Sequence, residues 1–358
     1  MKLITQVLSQ LPLIQYVTLG LIAGIVAGAS YPVPAFVSIL ILSACGLYTA
    51  YTADNSIIVI TILCFFFGTM AYQYHDQRYT KAANSLTGFQ PTLVGKVSTV
   101  ERIKNKFTYR STIQVANHYI WVLSKETPGF EPGDLVQINK LYLHSPLNKE
   151  MGPWMKKEGI IATAFAGKIK TTILKNASML DILASLNRQK EHIFTRLQQK
   201  LPAYVGNLMG LIFFGNKQDI DPSELMELRT TYMHWGLSHY LARSGLHIVI
   251  LFTLFNVLLL FFGLPIFIRK LLLLGFCLLY TALSWMSISY IRALLLIFFY
   301  TIAQLANIKL SLLFFINLTC CIILLYNPYQ LFALDFQLSF ALTYILILIG
   351  HLKVQEGR

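Results

Sequence analysis

The sequence predicts a polytopic α-helical membrane protein with about eight spans and one small external β-barrel inserted between them. Two observations predict the membrane part. Hydrophobic residues make up 55% of the 358 positions and charged residues only 13%, where soluble proteins carry about 25%, and long apolar runs recur along the chain. The barrel is predicted because one polar, alternating stretch interrupts these runs. The composition excludes a soluble enzyme.

The charge balance favours polyanionic partners. Lys and Arg number 29 against 16 Asp and Glu, which gives a net charge of +13. Such a surplus suits anionic lipid headgroups or nucleic acid, and composition alone does not choose between them. All five cysteines lie in apolar runs without a neighbouring histidine, so neither a metal site nor a disulfide framework is expected, and no cofactor is predicted.

Residues 1–76 are predicted to hold the first membrane spans. Gly20, Gly24 and Gly28 recur at every fourth position of the first span. This spacing puts small residues on one helix face and indicates close helix packing rather than chemistry. The predicted spans are Leu13–Ala29, Ala35–Tyr51 and Ser56–Tyr72.

Residues 77–175 are predicted to form the external β domain. Five strands in about 80 residues suit a small barrel such as the OB-fold. Over residues 91–172 there are twelve Lys and Arg against six Asp and Glu, and basic groups interleaved with aromatic ones are how OB-folds bind single strands. The DNA-binding candidates are Lys104, Lys106, Phe107, Tyr109, Arg110 and Trp121.

The alternation in this domain also supports a second interpretation. Phe107, Tyr109 and Trp121 could instead be the barrel core, with the charged residues solvated outside. The basic surplus of the domain is the same in both interpretations, so phosphate binding is expected in either.

Residues 176–232 are predicted to lie at the membrane surface. The segment from Ser178 to Lys200 has an apolar face opposite a basic face, which is typical of an interfacial helix. The apolar segment 203–214 is too short for a span and favours a re-entrant or interfacial position.

Residues 233–358 are predicted to be a second, incomplete membrane domain. With the barrel external and the N-terminus cytoplasmic, the basic loops fall on the inner side, as the positive-inside rule expects. The predicted spans are Leu237–Phe262, Leu271–Trp285, Tyr290–Ala306, Leu310–Tyr326 and Leu331–Gly350.

The segment 236–248 concentrates polar side chains in an apolar surrounding. Three of them, His239, Arg243 and His247, are spaced four residues apart and so line one helical stripe, flanked by Ser238 and Ser244. An arginine at a helix centre costs about 2.5–3.5 kcal/mol on insertion scales, so it should face a partner or a water-filled path. Alternatively, this segment is the start of a helix at the membrane interface, and the Arg243 side chain extends along the helix to the polar membrane surface.

Isolated polar residues recur at two later places, Arg292 and the set Asp335, Gln337 and Ser339. Asp335 is the candidate partner of a buried Arg243. Arg292 is equally compatible with an anchor that reaches the external face.

The strings "GLSHYLARSGLH", "SYIRA" after Tyr280, and "NPYQLFALDFQLSF" resemble successive motifs of the ComEC family of competence proteins. The resemblance implies a cytoplasmic-membrane channel through which transforming DNA passes as a single strand. Implied partners are single-stranded DNA, a DNA receptor, an ATPase or helicase of the competence machinery, membrane lipids and a second copy in a homodimer. The residues that the resemblance places along the DNA path are Ser238, His239, Arg243, Ser244, His247, Arg292, Asp335, Gln337 and Ser339.

The chain departs from the family at several positions. Ser284 or Trp285 replaces a glycine, Tyr290 replaces a proline, and Asp335 replaces the glycine before the Phe-Gln-Leu-Ser-Phe string. The metallo-β-lactamase-like domain of many members has no counterpart, so neither nuclease activity nor any other enzymatic activity is expected, and the chain resembles a truncated or short form.

Two rival functions remain at this stage. A solute or lipid transporter would suit the re-entrant segment and the intramembrane charges, but it leaves the basic barrel unexplained. An intramembrane serine hydrolase would use Ser244 and His247, but neighbours on one helix turn do not face each other across a cleft.

Overall fold

The computed structural model describes residues 13–30, 56–102, 109–116, 118–145, 152–166, 171–175, 245–283, 288–308 and 310–356, with scattered positions between 189 and 234. The chain divides into two compact units, one formed by Met1–Thr80 with Leu295–Arg358 and the other by Lys81–Leu294. The helices are α1 (Leu13–Ser30), α2 (Ser56–Leu86), α3 (Gly152–Glu158), α4 (Gly245–Phe261), α5 (Ile266–Leu283), α6 (Ile288–Leu305), α7 (Leu312–Tyr326) and α8 (Leu334–Glu356), with a 3₁₀-helix at Pro328–Phe332.

The second unit contains the predicted barrel. Its strands are β1 (Gly88–Arg102), β2 (Tyr109–Val115), β3 (His118–Ser124), β4 (Leu135–His144), β5 (Ile160–Ala166) and β6 (Thr171–Lys175). They follow the order β1-β2-β3-β5-β4, and β4 pairs with β1 again to close a five-stranded barrel, while β6 adds to β4. The β3–β5 pair is parallel and the other pairs are antiparallel.

Strand β1 closes the barrel because it is long enough for two partners. Its first half pairs with β4 and its second half with β2. At the crossover, a Cβ on Gly95 would lie 2.5 Å from Ile113 Cγ2 and 2.8 Å from the Gln114 carbonyl oxygen, so only glycine allows β1 and β2 to approach there.

Alternation along the strands fills the barrel with aliphatic side chains, as expected for a small barrel. The predicted turn at Pro132-Gly133-Asp134 fixes the β3–β4 connection, because the Val97 N–H donates to the Asp134 carbonyl at 2.9 Å and the Gly133 N–H donates to the Val97 carbonyl at 2.8 Å. The interior residues that are at most 1% exposed include Val97, Ile113, Ile120, Val122, Val136, Ile138 and Leu143.

In the first unit, the glycine face of α1 packs directly on α2. A Cβ on Gly28 would lie 3.0 Å from the Thr69 carbonyl oxygen, and at Gly20 and Gly24 it would collide with the carbonyl oxygens of Thr61 and Phe65. The Thr69 hydroxyl donates across the interface to the Gly24 carbonyl oxygen at 3.0 Å. The small residues therefore serve helix packing.

Helix α7 packs between α1 and α8. Thr18 Oγ1 on α1 lies 3.3 Å from Cys321 Sγ on α7. On the other side, the Tyr344 hydroxyl of α8 donates to the side-chain oxygen of Asn317, which is 1% exposed. These polar contacts satisfy groups that apolar packing would otherwise leave unpaired.

An aromatic cluster with one carboxylate lies where α2 meets the 3₁₀-helix. The Tyr329 hydroxyl donates to Asp76 Oδ1 at 3.1 Å. The Tyr329 ring centroid lies 5.4 Å from that of Tyr72 and 6.3 Å from that of Tyr79. Burial, followed by the charge of Asp76, raises the pKa of the Tyr329 phenol. The neutral phenol is therefore favoured in the folded state.

This raised pKa predicts a loss of stability at alkaline pH. Above about pH 10 an unfolded tyrosine ionises, while folded Tyr329 keeps its proton, so the unfolded state binds fewer protons and unfolding becomes easier as pH rises. We expect Tyr329 to contribute a fall of about 1 kcal/mol per pH unit above pH 10.

Thermal unfolding of the purified chain between pH 8 and pH 11 would measure this effect. Tyr329→Phe should reduce the loss of unfolding free energy at alkaline pH. Tyr326→Phe, which removes an 85% exposed phenol, should leave that loss unchanged. Equal pH profiles for Tyr329→Phe and the unmodified chain would contradict the assignment.

The prediction of a polytopic protein with about eight spans is wrong. Among the described residues one helix, Leu13–Ser30, is long and apolar enough to cross a membrane, and four other apolar stretches are shorter than 18 residues. These four stretches are Ile248–Phe261, Tyr290–Leu305, Leu312–Tyr326 and Leu334–Ile347. The predicted span Ala35–Tyr51 lies outside the described residues.

The error has a local cause at the helix ends. Helix α7 is capped by the Ser311 hydroxyl, which accepts from the Phe314 N–H, and it ends before Asn327. The apolar residues at 331 and 332 belong to the 3₁₀-helix rather than to α8. The predicted spans therefore included Leu310, Ser311, Leu331 and Phe332, which lie outside the two helices.

Candidate nucleic-acid interface

A tryptophan and an arginine lie together on the outer face of β2 and β3. Ser111 and Ile113 point into the barrel and are fully buried, so Arg110 and Thr112 point outward. Thr112 pairs with Trp121 across the strands. The Arg110 guanidinium carbon lies 4.5 Å from the Trp121 ring centroid, which is the geometry of a cation–π contact.

Helix α3 brings a second tryptophan to this face. Its Met155 is 5% exposed and packs in a cluster with Trp121 and Ile160. This packing fixes the helix so that the Trp154 ring centroid lies 5.1 Å from that of Trp121, with 54° between the planes. Trp121 is 9% exposed and Trp154 is 41% exposed, so Trp154 is the ring that a ligand can reach.

The two rings and the arginine border an open groove of about 280 Å³. Hydroxyl groups from β1 and β2 line one side, and a carboxylate at the end of α3 lines another. A groove with a flat aromatic wall, a cation and several hydrogen-bonding groups can stack a base and hold its phosphate. The lining residues are Ser98, Thr99, Arg110, Thr112, Tyr119, Trp121, Trp154, Glu158 and Ile160.

The structure brings two of the predicted DNA-binding residues of the barrel together. Arg110 and Trp121 meet in the groove. Tyr109 shares the strand face of the buried Ser111 and Ile113, so it points toward the core side of β2. Lys104, Lys106 and Phe107 lie outside the described residues.

Sequence reasoning missed Trp154. The available signal was an aromatic residue in a short Gly-Pro-Trp-Met-Lys-Lys segment between two strands. Only the fold shows that this segment is a helix packed over β3.

The predicted residues of the helical region are only partly described. Ser238, His239, Arg243 and Ser244 lie outside the described residues, so the Arg243–Asp335 pairing stays a prediction, and His247 is in the first turn of α4. Arg292 lies in α6, where the neighbouring Tyr290 hydroxyl is 3.0 Å from Thr281 Oγ1 of α5.

The last predicted set comes together at the start of α8. Asp335 lies in its first turn. The Gln337 amide donates to the Leu331 carbonyl at 2.9 Å, and the Ser339 carbonyl accepts from the Thr343 hydroxyl at 2.9 Å. The Gln337 hydrogen bond holds the 3₁₀-helix against α8 and gives Gln337 a structural task, whereas the Thr343 hydrogen bond lies within α8.

Within the described ranges, no three His, Cys, Asp or Glu side chains come together in a way that could hold a metal ion. The side chains that line the groove offer binding by stacking, hydrogen bonding and positive charge.

Comparison with known proteins relates the C-terminal part of the chain to competence proteins. Residues 212–355 match the family model described as "Competence protein". Over 159 residues the chain is 31% identical to "ComE operon protein 3" of Bacillus subtilis (strain 168), a match that covers 44% of this chain. The match covers 20% of the relative, so the chain spans only a small part of that protein's length. No solved structure matches.

Proposed function

Because the chain belongs to the ComEC family of competence proteins, we propose that its barrel binds single-stranded DNA during DNA uptake. The observation that carries the proposal is the groove of Trp154, Trp121 and Arg110 on the outer face of β2 and β3. In OB-folds this face and its neighbouring loops bind oligonucleotides.

Stacking explains how the groove would take a strand of any sequence. Every base has a flat π-face, so an exposed tryptophan binds bases without reading their edges. The Trp121 ring packs against the Trp154 ring, with the two ring centroids 5.1 Å apart. The exposed Trp154 ring is therefore already oriented before a base binds. An ordered ring loses little conformational freedom on binding.

Positive charge explains the preference for a polyanion. The domain carries twice as many basic as acidic residues over 91–172, twelve against six. Arg110 is partly buried beside the tryptophan, where its guanidinium can reach a phosphate of the stacked nucleotide. Binding should therefore weaken as salt rises.

We further propose that the family region, residues 212–355, forms the passage for the strand at the cytoplasmic membrane. Arg243 would neutralise phosphates along this path, and the polar groups at the start of α8 would supply hydrogen bonds. The chain contains no P-loop, so a partner ATPase or pulling from the cytoplasm would drive movement. In this proposal the chain is a channel and performs no catalysis.

A DNA-uptake assay tests the passage. In cells that express this chain as their sole protein of the family, Arg243→Gln should lower arrival of labelled DNA in the cytoplasm by about tenfold or more, because a charged hydrogen bond contributes about 1.5–3 kcal/mol. DNA bound at the cell surface, measured separately, should not change.

Arg196→Gln is the matched control, since it removes the same charge at an exposed position. Unchanged uptake with Arg243→Gln would remove Arg243 from the path. Absence of uptake with a stably produced, unmodified chain would overturn the channel proposal itself.

A further inference from the structure

A second group of aromatic side chains is exposed on the barrel, on the strands away from the groove. Phe89 of β1 is 62% exposed, Tyr142 of β4 is 56% exposed and Phe165 of β5 is 52% exposed. His144 of β4 lies between the last two. We call these four residues the aromatic strip. Contiguous exposed apolar side chains of this size indicate a binding surface.

The rings of the strip contact one another. The Tyr142 and His144 centroids are 4.9 Å apart, and those of His144 and Phe165 are 5.6 Å apart. Phe89 and Tyr142 are direct partners in the β1–β4 register. The strip therefore runs unbroken across three neighbouring strands.

The strand register joins the strip to the groove. Trp121 in the groove pairs with Thr163 of β5, and Thr163 pairs with His144 of the strip. One row further along, Leu123 of β3 pairs with Phe165. The outer faces of β3, β5, β4 and β1 are thus continuous in register from Trp121 to Phe89, over about 14 Å at 4.8 Å per strand, with Trp121 and Thr163 covered to 9% and 8% exposure.

The charge of this surface suits a polyanion. Strands β4, β5 and β6 contain no Asp or Glu, and Lys140 is exposed on β4 next to the strip. The four rings are of the types on which bases stack. The register with the groove favours a nucleic-acid strand over a lipid surface, because a strand that stacks on Trp154 would reach the strip after crossing the row of Trp121 and Thr163.

We infer that the aromatic strip is a second stacking site for single-stranded DNA, which extends the path of the strand from the groove across β5 and β4 to β1. The inference rests on the proposed function of the groove. At the 3.4 Å spacing of stacked bases the added surface accommodates about four further bases.

The length of the bound oligonucleotide distinguishes the two sites. Fluorescence anisotropy of the purified full chain would measure the affinity for oligothymidylates of about 4 and about 12 nucleotides, within the range of OB-fold site sizes. We expect the double variant Tyr142→Ala and Phe165→Ala to bind the long oligonucleotide about tenfold more weakly. Its affinity for the short one should stay within about twofold.

Three further variants control this result. Trp154→Ala should lower the affinity for both oligonucleotides. Val94→Ala changes a 46% exposed apolar position of β1 outside the strip. It should leave the affinity for both oligonucleotides unchanged. Tyr142→Phe with Phe165→Tyr keeps the rings and should restore the affinity for the long oligonucleotide, which separates stacking from a folding defect.

The outcomes separate the inference from the proposed function. If the strip variant binds the long oligonucleotide as tightly as the unmodified chain while Trp154→Ala weakens both, the strip is not a DNA site and the groove stands. If the unmodified chain binds neither length, the proposed function fails together with the inference. A changed oligomeric mass without a changed affinity would assign the strip to contact between copies and overturn the inference.

Discussion

Replacing Trp154 with alanine is expected to lower the affinity of the chain for single-stranded DNA by about tenfold or more. A base stacked on an aromatic side chain contributes about 1–3 kcal/mol, and each 1.4 kcal/mol is tenfold in affinity. Trp154 is the exposed ring of the groove, at 41%, so it would make this contact. The loss should be similar for all base compositions, because stacking does not read base edges.

The fold should tolerate this substitution. The apolar contact that holds α3 on the barrel is made by Met155 at 5% exposure, and Trp154 contributes only the face turned to Trp121. We therefore expect the melting temperature to change little. Fluorescence anisotropy measures the affinity and thermal unfolding measures the fold on the same samples.

Trp154→Phe is the matched control, since it keeps an aromatic ring and should recover most of the affinity. An unchanged affinity in Trp154→Ala at low salt would show that the groove does not bind the strand. Binding would then have to be sought on the basic surface of the barrel alone.

The barrel was predictable from sequence because its signals are local. Alternation along each strand and the Pro132-Gly133-Asp134 turn predict strands and their ends without knowledge of the rest of the chain. The closure of β1 on β4 depends on partners about 50 residues apart, so periodicity does not specify it. The side on which α3 packs is equally a property of the assembled barrel.

The site was predicted in part for the same reason. Arg110 and Trp121 stood out as a basic and an aromatic residue on neighbouring predicted strands, but alternation left open whether Trp121 points outward or into the barrel core. Whether an outward ring is covered depends on what packs over it, and here α3 covers Trp121 to 9% exposure. The ring that a ligand can reach, Trp154, is defined by that packing alone.

The number of spans was overestimated because mean hydropathy does not register where a helix ends. The Ser311 cap and the 3₁₀-helix Pro328–Phe332 leave apolar residues outside α7 and α8 that the predicted spans had included. Among the described residues, the apolar stretches that result are 10–17 residues long apart from α1, which is below the roughly 18 apolar residues at which a stretch is read as a membrane span.

The second large effect is expected at the contact between α1 and α2. Gly24→Ala should destabilise the first unit by about 1–3 kcal/mol, the usual cost of overpacking. The added methyl group would collide with the Phe65 carbonyl oxygen, which is backbone and cannot rotate away. Separating the helices would also break the 3.0 Å hydrogen bond from Thr69 to the Gly24 carbonyl.

Gly275→Ala is the matched control because Gly275 also lies in an apolar helix, α5, and has nothing within 4 Å of its added Cβ. Alanine is the better helix former by about 1 kcal/mol, so this variant should be neutral or slightly more stable. The two substitutions are chemically identical, and only Gly24→Ala should lower the stability. Thermal unfolding of both variants measures the difference, and a Gly24→Ala chain as stable as the Gly275→Ala chain would show that α1 and α2 do not meet at this distance.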